Sequence, residues 1–166
     1  MVNEALQWAV LAIVGLLVLG ALRQVALTLP SEARATSSGP PVGRRIPKQL
    51  LTELRRVSPS GDVAAGTLVA FVTESCVGCQ RLLADLSNGN GHREDRQLVL
   101  IAKSPSRQFL NALAETGIPA VADATGDLWK RCGVNATPLV IRLDRDSRVE
   151  AKEVTHRVDG VAASAF

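Results

Sequence analysis

The chain has 166 residues, enough for one domain and an appendage. Its 19 Lys and Arg against 16 Asp and Glu leave a net charge of +3, with acidic residues interleaved among the basic ones. With no Tyr and only three Phe to stack on bases, that balance argues against nucleic-acid binding.

The run Ala5–Leu22 carries no charge, and Gln24–Leu29 prolongs its apolar character past Arg23. A helix over this stretch would rise roughly 37 Å, enough to cross a hydrocarbon core of about 30 Å. Trp8 falls where an interfacial indole is expected, and Arg23 could snorkel to the far surface. Residues 1–29 therefore read as a single transmembrane anchor in contact with lipid. A cleaved signal peptide fits less well. No basic region precedes Ala5, and the Ala33-Arg34-Ala35 triplet is cut off from the apolar core by Arg23, Pro30 and Glu32. Residues 30–48, rich in Pro, Gly, Ser and Arg, read as a tether whose arginines could touch anionic headgroups. The positive-inside rule would put the globular part in the cytoplasm.

From residue 49 to 166 strands and helices alternate. Leu50, Leu51, Leu54 and Val57 have helical spacing over Gln49–Val57. Thr67–Val72 is a continuous apolar run, a strand buried on both faces. Cys76-Val77-Gly78-Cys79 comes after it and opens a helix over Cys76–Leu86. A dithiol at a strand-to-helix junction has a physical rationale. Helix N-terminal N–H groups stabilise a thiolate at Cys76, and Cys79, one turn on, is placed to resolve a mixed disulfide. Zinc ribbons use the same spacing, so the motif alone leaves redox and metal chemistry open. Next come a strand at Leu98–Ala102, a helix at Ser106–Thr116, a short strand at Pro119–Ala122 and a helical turn at Asp127–Cys132. Two strands, Leu139–Leu143 and Val149–Val154, close the pattern around a hairpin turn at Asp144–Ser147. The order is that of an α/β domain with a central mixed sheet flanked by helices.

Pro138, just before the strand at Leu139, is compatible with a cis Thr137–Pro138 bond or with an ordinary trans bond at a loop end. No metal or cofactor is expected: of the two histidines, His92 falls in a polar loop and His156 near the C-terminus, and no second C-x-x-C occurs. A peroxidase would need a Pro/Thr/Arg setting that Thr73-Glu74-Ser75-Cys76 does not supply. Cys132 reads as a buried, inert thiol.

Taken together, Phe71-Val-Thr-Glu-Ser-Cys-Val-Gly-Cys79 and Gly133-Val-Asn-Ala-Thr-Pro138 with its strand-turn-strand resemble the thioredoxin superfamily. Pro119–Asp123, Leu128–Pro138 and Leu143–Asp146 are similar to its membrane-anchored, peroxiredoxin-like branch. In particular they resemble the thioredoxin-like proteins of methylamine-utilisation clusters, as do Leu22-Arg23-Gln24-Val25 and Gly39-Pro40-Pro41-Val42-Gly43. The resemblance implies that Cys76 attacks, Cys79 resolves, and Pro138 is cis. Thr137, Pro138, Val77 and Gly78 would meet a disulfide-containing protein substrate. It also implies an outer-side location on the cytoplasmic membrane and a role in maturing an exported or membrane partner. The chain departs from the pattern at three places. Ala70 stands where a buried Asp or Asn usually assists the second cysteine, and Ser75 where an aromatic usually shields the first. Gly160–Phe166 is too short for the usual last helix, so one sheet face would rely on a partner or the membrane. Glu74 reads as a solvated loop carboxylate, or as a substitute base acting through water. These departures keep a second reading in play, a catalytically weak adaptor or assembly subunit.

Overall fold

The computed structural model describes residues 8, 13–16, 18–20, 38–58, 61–88 and 97–155. The chain divides into two compact units, Met1–Pro30 and Ser31–Phe166. In the first, Trp8, 13–16 and 18–20 are helical, and the rest of the expected anchor lies outside the described residues. Among the described residues no helix is long and apolar enough to cross a membrane.

The second unit is built from α1 (Lys48–Val57), β1 (Leu68–Val72), α2 (Val77–Ser87), β2 (Leu98–Lys103), α3 (Arg107–Glu115), β3 (Ala120–Asp123), α4 (Asp127–Cys132), β4 (Leu139–Leu143) and β5 (Val149–Val154). These match the expected elements to within a residue or two at each end. The strands form one sheet in the order β3-β2-β1-β4-β5. β1, β2 and β3 are parallel, and β4 and β5 run antiparallel to their neighbours.

Strand periodicity divides the core in two. Val69 and Phe71 of β1, with Val99 and Ile101 of β2, point to one face. There Leu50 and Leu54 of α1 and Leu128, Trp129 and Cys132 of α4 cover them. Phe71 meets Trp129 edge to face, with ring centroids 5.7 Å apart. Leu68, Ala70 and Val72 point to the other face, beneath Leu82, Leu83 and Leu86 of α2 and Phe109 and Leu113 of α3. Both faces of the sheet thus carry helices. Towards the β5 edge cover is thinner, and 151–154 stay half-exposed. The last residues, 156–166, lie outside the described residues.

Arg142 is a charged side chain buried at a central strand position, on the α2 side. Its Nε donates to Glu150 at 3.0 Å, across the irregular register at Arg142/Leu143.

Part of the stretch read as tether is bound to this unit. Ser38 is fully buried, and Gly43 N–H donates to Val149 C=O while Val149 N–H donates to Arg44 C=O. Ile46 N–H donates to Ser147 C=O, and Ile46 itself joins the α1-side core. A Pro- and Gly-rich composition signals extended backbone, and here that backbone is spent on pairing with the domain.

Candidate active site

The register of the sheet creates the site. β1 is the central strand, and Cys76 comes just past its carboxyl end, where parallel α/β sheets present their functional groups. β4 runs antiparallel beside β1, with Leu139 opposite Phe71. The residue entering β4, Pro138, is therefore delivered next to the chain leaving β1. The Thr137–Pro138 peptide is cis, the first of the two possibilities open to the sequence.

Cys76 is the N-cap of α2, with extended backbone and its sulfur accepting the N–H of Cys79 at 3.2 Å. This is the bond a Ser or Asp N-cap makes to the third helical residue, with sulfur in place of oxygen. The Cys76 thiol also donates to the Thr137 carbonyl at 3.5 Å. Cys79 is fully buried and its sulfur accepts the Thr73 N–H at 3.5 Å. All three cysteines are free thiols in this structure.

Their acidities diverge for readable reasons. At Cys76 partial burial opposes ionisation. Hydrogen bonds from the Cys79 and Thr137 side chains and from the Cys79 and Gly78 N–H groups outweigh it, and the pKa falls below its ordinary value. At Cys79 burial, the hydrogen bond with Cys76 and the nearby Cys76 charge push the thiol up to about 12, against the opposing Thr73 N–H. Cys132, on the other face of the sheet, is also pushed up to about 12, by burial and by the Asp123 charge. Of the three thiols only Cys76 is acidified, and it is also the only one not buried.

The four residues expected to meet a substrate divide into two kinds. Val77 is 62% exposed and Thr137 half-exposed, both at the surface beside Cys76. Pro138 is buried, and Gly78 packs against it: a Cβ added at Gly78 would lie 2.9 Å from Pro138 Cδ and 3.8 Å from Cys76 Sγ. Gly78 thus lets the proline ring close on the motif. Gly78→Ala should gain up to about 1 kcal/mol of helix propensity but lose roughly 1–3 kcal/mol to overpacking. The expected result is a net destabilisation of about 1 kcal/mol in urea denaturation of the reduced chain.

Glu74 has a role the sequence did not suggest. Its carboxylate accepts the Ser106 hydroxyl at 3.0 Å and the Ser106 N–H at 3.3 Å, while the Ser106 oxygen caps α3 by accepting the Phe109 N–H at 3.1 Å. The loop before Cys76 is so tied to the positive end of α3. Glu74→Ala should cost about 0.5–1.5 kcal/mol of stability by the same measurement, and Glu74→Gln less. The absence of a buried acid at Ala70 is evident in the structure too, since Ala70 packs with Cys79, Leu82 and Leu100. Among the described residues no group of His, Cys, Asp and Glu could hold a metal ion, and His92 and His156 lie outside them.

No family model matches the chain. No curated protein matches it either. Among solved structures it is similar to a putative thiol:disulfide interchange protein DsbE from Chlorobium tepidum, with TM-score 0.51, 16% identity, and coverage of 76% of this chain and 91% of that one. It is also similar to the thioredoxin domain of a thiol-disulfide oxidoreductase from Bacteroides vulgatus, with TM-score 0.48, 17% identity, and coverage of 60% and 78%. A secreted thiol-disulfide isomerase from Corynebacterium glutamicum gives TM-score 0.48, 17% identity, and coverage of 61% and 68%. The first likeness, with the strand order and the cis-proline loop, defines the architecture as a thioredoxin-like α/β fold.

Proposed function

We propose that this chain is a thiol–disulfide oxidoreductase acting on cysteines of a partner protein. The observation that carries the reading is the asymmetric pair itself. An accessible, acidified Cys76 stands within hydrogen-bond reach of a buried, weakly acidic Cys79 and of the loop before Pro138. The Cys76 thiolate attacks one sulfur of a partner disulfide. A Cys76–partner bond forms, the partner S–S bond breaks, and the other partner sulfur leaves as a thiolate. Cys79 then gives up its proton and attacks the Cys76 sulfur. The Cys76–Cys79 disulfide forms, the second partner thiolate leaves, and two electrons have passed from the chain to the partner. Run backwards, the same steps oxidise a partner dithiol.

The high Cys79 pKa suits this order. Once Cys76 is in the mixed disulfide it no longer carries the charge that helps hold the Cys79 proton. With Ala70 in place of an acid, the departing partner thiolate is the base at hand.

The finer reading keeps a membrane setting: a single-pass anchor over 1–29, the domain on the outer side of the cytoplasmic membrane, and a maturation role for an exported or membrane protein, of the methylamine-dehydrogenase type. Supporting the anchor, Trp8, Ile13, Val14, Leu16, Val18 and Leu19 are apolar and at least half exposed. The adaptor reading draws on Ala70, which leaves Cys79 without a neighbouring acid.

The full chain should catalyse reduction of insulin disulfides with a dithiol donor, or reactivation of a scrambled disulfide protein, and Cys76→Ser should abolish it. No turnover in either direction would leave the adaptor as the better account. Labelling of an introduced surface cysteine from either side of intact cells tests the sidedness.

A further inference from the structure

Beyond the two cysteines and the Pro138 loop, the site depends on a residue from the opposite end of the domain sequence. Ser38 is fully buried, and its hydroxyl oxygen accepts the N–H groups of Asn135 at 3.1 Å and Ala136 at 3.0 Å. Those are the two residues immediately before Thr137. The neighbouring backbone grips the same loop further along. Gly39 N–H donates to Gly133 C=O at 3.0 Å, and Gly39, at φ +74°, adopts a backbone conformation that favours glycine. From behind, Lys152 Nζ donates to the Ser38 carbonyl at 2.8 Å, fixing the segment on β5. The loop is thus held by 38–39 at Gly133 and again at Asn135 and Ala136. Its free side faces the sulfur of Cys76 through Thr137.

We propose that Ser38 is a positioning residue of the Cys76 site: by accepting the Asn135 and Ala136 N–H groups, its hydroxyl sets where Thr137 stands against the Cys76 sulfur. Two successive N–H groups converging on one oxygen define the loop's orientation more tightly than either bond alone. Without that oxygen both donors must turn toward water, and Thr137, next in the chain, turns with them. The Thr137 side chain is one of the groups that hold the Cys76 pKa down, so displacing Thr137 from the sulfur weakens Cys76 as an acid. Ser38 acts through the loop and is therefore a positioning rather than a catalytic residue.

The inference rests on the reading of Cys76 as the attacking thiol, and its test uses a measurement that needs no partner disulfide. The pH profile of Cys76 alkylation by iodoacetamide is followed by peptide mass spectrometry in the full reduced chain. In Ser38→Ala the midpoint should move up by about half a pH unit, so that alkylation near neutral pH slows about threefold. Ser38→Thr, which keeps the hydroxyl, should restore the profile. Ser38→Gly supplies the same deletion if the alanine variant does not fold. An unmoved midpoint in a folded Ser38→Ala or Ser38→Gly chain overturns the proposal. So would unfolding of the chain by both deletions, since a positioning residue leaves the fold intact. Failure of the oxidoreductase reading would look different: an ordinary Cys76 profile in the unmodified chain, or absent turnover.

Discussion

Cys79→Ser should turn the protein into a trap. Mixed with a disulfide-containing partner, the variant is expected to accumulate a covalent adduct that survives denaturing electrophoresis without reductant and is released by dithiothreitol. Which thiol faces solvent decides the outcome. Cys76 is accessible and acidified, so the first attack proceeds as before. The buried Cys79 sulfur, whose backbone N–H reaches Cys76 at 3.2 Å, is the group placed to release it. A serine hydroxyl cannot take its place, so the mixed disulfide should persist at least roughly 10²-fold longer, on the order expected when intramolecular resolution is replaced by exchange with dilute external thiol. Cys76→Ser should give no adduct, and Cys132→Ala in the Cys79→Ser background should give as much as Cys79→Ser alone. Trapping that needed Cys132, which is buried on the far side of the sheet, would overturn the assignment of roles.

The parts of this architecture that could be read from the sequence are those coded locally. The apolar runs Leu68–Val72 and Leu98–Ala102 have little choice but to be central strands. Leu50, Leu54 and Val57 mark one helix face by spacing alone, and Cys76-Val77-Gly78-Cys79 identifies itself at a strand-to-helix junction. The isomer of the Thr137–Pro138 bond was open on local grounds, because the partners that select it come from elsewhere in the fold. What the sequence concealed is the long-range hydrogen bonding. Ser38 reaches Asn135 and Ala136 from within a stretch whose composition signals a tether, and a serine in such a run carries no mark of burial. Glu74 looked like any loop carboxylate until the β1–α2 and β2–α3 turns were brought side by side, where it meets Ser106. Gly78 illustrates the same point. Its lack of a side chain leaves room for the Pro138 ring, which arrives from a distant part of the chain.

The divergent acidities of the thiols predict a pH signature on reactivity and on stability. Near pH 7.5 a thiol with a pKa of about 12 is ionised on the order of 10³-fold less than one at or below 9. Iodoacetamide should therefore modify Cys76 and leave Cys79 and Cys132 intact until the chain unfolds. For stability the signs differ. Cys79 and Cys132 have folded pKa values raised to about 12 from an ordinary 9.0. Their contribution is full below pH 9 and is lost as pH rises from 9 towards 12, at up to about 1.4 kcal/mol per pH unit per thiol. Cys76 is lowered in the fold, so its contribution is present above 9 and is lost as pH falls through its folded pKa. As far as thiols are concerned, the reduced protein should be most stable near pH 9. Cys132→Ala should lower stability everywhere through the volume it vacates, so the slope of stability against pH is the quantity to compare. It should flatten the alkaline limb by about half, whereas oxidation to the Cys76–Cys79 disulfide should remove the other half and leave the Cys132 share. Urea denaturation between about pH 8 and 11 measures both. An alkaline slope that ignores Cys132→Ala would mean that this thiol ionises in the fold as readily as in the unfolded chain, and that α4 covers the sheet less closely than Trp129 and Cys132 imply.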